Sequence, residues 1–455
     1  MIFGRFGDIV GHHYQYVCGM FFLGVLIVIA ASVENLYAII VFRALQGIAA
    51  ASTVPSSYAL IGHSFEGKAL NLAMGVVTVL MTVSAGMGFV FGGAFALIPI
   101  GYRGVFYLFG GLSLLTAILG LFCIDPVPKN SKRIRDLDVF GVFMVLSGIL
   151  LFVTGVTEGG FGWRSPRSYV PMIFGVLLIG FHFLWEWRLV FMIKLFKNTQ
   201  LLIPPSAWGI PNFIVFNIAV GLAFSGMVTM ILCSLEIYQY VALNSPVIAA
   251  VKTIVGPISI LLASFPVGYF YGKISPKIMI TIGGLIQLAG AILLTQLDYT
   301  TKSYWKYGFP GLILAGLGCS IAFYNSMQTL VVTTPVEIRD LVPGIANTSV
   351  ELLIAATTAS LASIIGQAKL AVDIEIKDEM IMQYHHALYL PLGLVGANVI
   401  LSIFIQKRSS MVSCNNETPN KSLETSSSTF HETPHENYGT AQGSLSRVDA
   451  LELSV

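Results

Sequence analysis

Residues Tyr16–Val33 read YVCGMFFLGVLIVIAASV, an apolar run without a single charge. A helix needs about 20 mostly apolar residues to cross a hydrocarbon core ~30 Å thick, and this run with its flanks meets that length. On its amino-terminal side stands the stretch Gly4–His13, GRFGDIVGHH. Three glycines, an aspartate and a histidine pair in ten residues predict a polar hairpin ahead of the span. On the other side Glu34 and Asn35 interrupt the run before the next apolar segment begins.

The same pattern recurs along all 455 residues, of which 55% are apolar and 11% charged. The mean hydropathy of +0.79 excludes a soluble domain of this length. Spans are expected near 16–33, 37–61, 70–97, 104–124, 139–157, 169–187, 210–234, 247–271, 278–296, 308–327, 343–367 and 386–406. Twelve long segments without strand-like alternation predict an all-α polytopic membrane protein, in which helices satisfy their own backbone hydrogen bonds within lipid. Lys and Arg in the loops set the orientation. Fourteen fall on the side of residues 1–15 and eight on the other, concentrated at NSKRIRD (130–136) and QKR (406–408), so both chain ends are expected in the cytoplasm.

Residues 125–138, DPVPKNSKRIRDLD, form the clearest boundary, and RLVFMIKLFKNTQLLIPP (188–205) has the mixed basic and apolar character of an interfacial helix. The expected organisation is a bundle of four spans at 1–124, a linker with two spans and a connector at 125–208, six spans at 209–406, and a disordered cytoplasmic tail at 407–455. From Ser409 onward Ser, Thr, Asn and Glu dominate, and such a segment cannot bury enough apolar surface to fold. The scattered cysteines have no metal or redox spacing, the net charge of +2 carries no basic stripe for nucleic acid, and no phosphate loop or catalytic constellation stands out. The chain is therefore expected to be no enzyme, to need no cofactor or metal, and to draw on a gradient. Its partners are then a small-molecule substrate, protons and the bilayer, with the chain acting as a monomer.

GRFGDIVGHH followed by a span and then by RALQGIAAA (43–51) resembles the major facilitator superfamily, specifically its fourteen-span drug:proton antiporter branch. Gly4, Phe6, Gly7, Asp8 and Gly11 match the family's first hairpin motif, with His12 and His13 where it has a basic pair. Arg43, Gln46 and Gly47 match the motif that opens its fourth span. A third motif, for close helix packing, is met by Gly75, Gly88, Gly92 and Gly93, with Ser84 replacing one glycine and Phe89 the family's proline. This region and VFRALQGIAAASTVPSSYALIG (41–62) are similar to the fungal aminotriazole-resistance and boron-efflux subgroup. The resemblance implies two bundles rocking about a midplane site and a two-helix insertion between them. It also implies two further spans ahead of the hairpin motif, so the amino-terminal bundle is expected to be incomplete, with a groove beside spans 37–61 and 70–97.

Inside the spans, ionisable groups default to functional roles. Arg43, with Gln46 one turn on, is assigned to transport or proton coupling, against a structural reading in which it snorkels to the interface. Glu351, the only carboxylate well inside the second bundle, is assigned to coupling, against a reading as a pocket residue beside Asn347, Thr348 and Ser349. Asp8 reads either as a turn residue or as a latch across the bundle interface. Asn217, Gln287 and Asn325 are candidate substrate contacts, with interhelical hydrogen bonding as the alternative. His182 reads as a packed histidine, Lys252 and Glu236 as residues of a cavity mouth, and YWKYGF (304–309) as an interface anchor. The function expected is proton-coupled efflux of small toxic compounds of drug, aminotriazole or borate type, from the plasma membrane rather than the vacuole. The alternatives are a transporter-derived nutrient sensor and a truncated, non-transporting fragment.

Overall fold

The computed structural model describes residues 2–65, 67–125, 138–186, 205–270, 273–335, 338, 341–366 and 374–405. The basic linker, most of the connector and the tail lie outside the described residues. Helices α1 (Ile2–Val10), α2 (His12–Ser32), α3 (Leu36–Ser64), α4 (Gly67–Phe95) and α5 (Tyr102–Cys123) form the first part, and α6 (Val139–Gly159) and α7 (Pro166–Leu184) the inserted pair. The second part comprises α8 (Phe213–Glu236), α9 (Pro246–Thr253), α10 (Val255–Phe270), α11 (Pro276–Leu294), α12 (Phe309–Thr333), α13 (Val342–Ile365) and α14 (Ile374–Ile403). Among the described residues 11 helical segments are long and apolar enough to cross a membrane. Helix α4, 29 residues long with Lys68 its sole charge, stands at the remaining expected span. The end of the bundle that holds α1 is termed proximal and the other end distal.

GRFGDIVGHH is helical rather than a hairpin. Residues 2–10 form α1, and the chain turns at one residue, Gly11, whose φ of 104° favours glycine. The apolar repeat Phe3, Phe6, Val10 supplies the helical face that the glycines obscure, with the Phe3 and Phe6 rings meeting edge to face at 6.4 Å. Gly7 belongs inside the helix because a Cβ there would stand 2.6 Å from Gln15 Oε1. Gln15 in turn donates from Nε2 to the Phe3 carbonyl at 2.8 Å and to the Ser52 carbonyl at 2.9 Å, clasping α1 and α3 together.

The remaining helices begin where capping chemistry places them. Asn35 Oδ1 accepts from the Tyr37 and Ala38 amides at the start of α3, and Asp138 Oδ1 accepts from the Gly141 amide at the start of α6. Ser165 with Pro166 and Ser245 with Pro246 start α7 and α9. Helix α8 is the core of the second part: Phe216, Ala219, Val220, Ala223, Met230 and Cys233 have no exposed surface, and α8 packs on α12, α13 and α14.

The helices of the first part differ in how they pack. Helices α2, α3 and α5 pack together, whereas α4 touches α3 and α5 lightly and lies mainly along α9 and α10. The inserted pair is bound tightly to itself and rests through α6 on α13. The outward face of α3 leaves Leu36, Tyr37, Ile40, Val41 and Ile48 more than half exposed, and no atom stands within 4 Å of where a Cβ on Gly47 would lie.

The course of α4 follows from its glycines. Gly75 and Gly93 are 18 residues apart, five helical turns, and so share one face over about 27 Å. A Cβ on Gly93 would stand 2.9 Å from Ala250 Cβ and 3.1 Å from the Pro246 carbonyl, and one on Gly75 3.4 Å from Tyr324 Oη. Gly88 and Gly92 point away from this face and have no neighbouring atom within 4 Å, so the packing role expected of them belongs to Gly75 and Gly93.

Candidate transport pathway

The two parts of the chain meet along two seams. One is the glycine face of α4 against α9 and α10 with Tyr324 of α12, and it runs the length of α4. The other is confined to the proximal end. There Pro55, inside α3, lies 3.8 Å from where a Cβ on Gly4 would stand and 3.9 Å from one on Gly344, and Leu341 Cδ2 lies 3.7 Å from the same position on Gly4. Helix α1 thus touches both parts, with Gly4 at the contact and Asp8 one turn on; the Asp8 side chain, and the latch expected of it, lie outside what is described.

Glu351 follows Gly344 by seven residues, two turns along the same face of α13. That face meets α3 at its proximal end, and Glu351, the tenth residue of the 24-residue helix, is exposed. Thr348, between them, spends its hydroxyl on the Gly344 carbonyl at 2.7 Å. Glu351 is thus a carboxyl group exposed on the face of α13 that carries Gly344.

Arg43 and Gln46 act as one unit. Arg43 Nη1 donates to Gln46 Oε1 at 3.1 Å, Gln46 Nε2 donates to the Leu26 carbonyl of α2 at 2.9 Å, and the guanidinium lies 6.0 Å from the Phe106 ring centre of α5. Gln46 is buried and Arg43 exposed, about 10 Å from the distal start of α3. The arrangement ties three helices together and leaves the guanidinium exposed.

Of the three amide candidates, one makes an interhelical hydrogen bond and two bond within their own helices. Gln287 has no exposed surface and donates from Nε2 to the Ala223 carbonyl at 2.8 Å, joining α11 to α8. Asn217 and Asn325, 6% and 1% exposed, donate to the Phe213 and Ile321 carbonyls of their own helices. All three are buried within the second part. His182, expected to be packed, is buried with its Nε2 3.9 Å from Glu186 Oε2.

The expected cavity mouth at the distal end divides into two clusters. Glu236 accepts a hydrogen bond from the buried Tyr384 hydroxyl at 3.2 Å. Lys252 Nζ lies 5.0 Å from the Tyr238 ring centre and 5.4 Å from that of Tyr304. Sequence reading assigned YWKYGF to the interface and missed this convergence, although two of its members, Tyr304 and Lys252, lie 52 residues apart.

Two groups of membrane-length helices packed against each other, with a carboxyl group exposed partway along α13, are the architecture of a membrane transporter. Residues 1–358 match the model of the Major Facilitator Superfamily, and the chain belongs to that family of secondary transporters. It is 25% identical to the efflux pump terJ of Aspergillus terreus, over 88% of this chain and 76% of that protein. It is 24% identical to the low affinity ammonium transporter of Saccharomyces cerevisiae, over 77% and 68%, and 23% identical to the multidrug transporter protein MdtP of Bacillus subtilis, over 70% and 57%. Among solved structures, a mutant of the nucleoside transporter NupG aligns with a TM-score of 0.46 at 10% identity, covering 88% of this chain and 86% of that one.

Proposed function

We propose that the chain is a proton-coupled exporter of small toxic organic compounds, of the fourteen-span drug:proton antiporter branch. The observation that carries the reading is Glu351, a carboxyl group at mid-helix on the face of α13 turned toward the first part. A group so placed can take up a proton from one side and release it to the other as the two parts rock, provided substrate and proton compete for the same state. The efflux and multidrug activities named for terJ and MdtP support export. The basic loops support cytoplasmic chain ends.

The test uses the chain reconstituted in vesicles with ethidium as probe and an imposed pH gradient. Wild type is expected to move ethidium against its gradient until the pH difference is collapsed. Glu351→Gln should abolish the gradient-driven phase while leaving ethidium exchange at equal pH. Gradient-driven transport by Glu351→Gln at the wild-type rate would refute the coupling role. In cells, unchanged tolerance of a deletion strain to aminotriazole, borate and azoles would count against the export reading.

A further inference from the structure

We propose that Tyr238 and Tyr304 form a receptor for one organic ammonium group at the distal mouth, and that Lys252 occupies it as an intramolecular stand-in. The rings meet edge to face, 5.8 Å apart at 79°, and make a corner into which the lysine ammonium projects. Both centroid distances are within the ~6 Å over which a ring quadrupole attracts a cation. The rings are 1% and 7% exposed, so a cation held there faces aromatic carbon rather than water on two sides.

Two further features go beyond what an interfacial lysine needs. Each tyrosine sits on a π-helical turn, Ile237–Val241 for Tyr238 and Tyr304–Gly308 for Tyr304. Such turns are uncommon and recur where a helix is adapted to a functional site. The Tyr238 hydroxyl is also buried, against Gly308 of the second π-helical turn, without a hydrogen-bond partner among the described residues. Lys252 stands in the last turn of α9, just before the chain breaks into α10. It can therefore leave the rings by a rotation of its flexible stem, without unpacking a continuous helix. The same short helix receives Gly93 of α4 through Ala250, so the occupant of the corner lies next to the seam between the two parts.

A ligand bearing a primary or quaternary ammonium would compete with Lys252 for the rings. The inference takes the transporter reading for its biological meaning, but the site itself can be tested by binding alone. The purified full chain would be titrated calorimetrically with n-butylammonium, which reproduces the lysine side chain, and with the neutral 1-pentanol. Wild type should bind the cation weakly, and Lys252→Met should bind it about tenfold more tightly, the scale of a desolvated cation–ring contact. Tyr304→Leu in the Lys252→Met background should cancel the gain, and pentanol should show none. Lys252→Gln provides the same readout if the methionine variant does not elute as a folded species. Equal affinity in wild type and the lysine variants, or an equal gain for pentanol, would overturn the proposal. Glu351→Gln should leave the binding intact, so a failed coupling role and a failed ammonium site give different results.

Discussion

Adding one methyl group to α4 should have opposite consequences five residues apart. Gly88→Ala and Gly93→Ala make the same chemical change in the same helix, and each removes an interior glycine, which by itself favours the helix by about 0.5–1 kcal/mol. At Gly88 the new Cβ meets no atom within 4 Å. At Gly93 it would stand 2.9 Å from Ala250 Cβ, 3.1 Å from the Pro246 carbonyl oxygen and 3.3 Å from Val247 Cα, two of them backbone atoms that cannot rotate away. Forcing an extra carbon into a packed contact costs about 1–3 kcal/mol. Because the helix term is common to both variants, their stability difference should equal the packing term. That corresponds to about 5- to 150-fold in the unfolding constant. Reversible unfolding in mixed micelles, followed by tryptophan fluorescence, would measure it. Ala250→Gly removes the closest atom and should restore part of the loss, leaving the Pro246 carbonyl unrelieved. Equal unfolding constants for the two alanine variants, or no coupling between Gly93→Ala and Ala250→Gly, would refute the assignment of this seam.

Gln287→Leu should lower stability by about 1–3 kcal/mol, because the Ala223 carbonyl loses its buried donor, while ethidium transport per folded molecule stays unchanged; a selective change in ethidium affinity would restore Gln287 as a substrate contact. Tyr299 lies between spans, and the Asp378 carboxylate, which accepts its hydroxyl at 3.3 Å, holds its phenol above the ordinary range. The associated stability is present below the ordinary phenol pKa and lost as pH rises through the raised value. Asp378→Asn should therefore bring ionisation of Tyr299 to lower pH, as read by NMR of labelled tyrosine.

Most of the helical architecture was legible because its cause is local. A run such as Tyr16–Val33 has one physically acceptable conformation in lipid, and Asn35, Ser165 and Ser245 mark starts through hydrogen bonds spanning two or three residues. The Arg43–Gln46 pair was legible for the same reason, being one helical turn apart. Helix α1 was misread because glycine reports two things with one letter. Gly11 marks a turn, whereas Gly7 makes room for Gln15, a residue of the next helix. The face of α4 was obscured by the spacing of Gly88 and Gly92, which imitates a packing stripe, while the effective pair is Gly75 and Gly93. The site contacts were the least legible. Gln287 meets Ala223 across 64 residues and Tyr384 meets Glu236 across 148, distances at which nothing in the chain specifies the partner until the bundle is assembled.

The Gln15 clasp also sets an order of events during synthesis. Its two acceptors lie on opposite sides of it in the chain: Phe3 is made earlier, and Ser52 follows 37 residues later. At about 5–20 residues per second, α2 waits some 2–7 s before the second acceptor exists. Over that interval α1 can be held by one bond, and it acquires its final anchorage when α3 enters the membrane and turns Ser52 toward it. Helix α1, made before α2 and α3, is thus fixed only after both, and a pause in translation ahead of Ser52 would prolong the time for which α1 remains open to membrane-inserting chaperones.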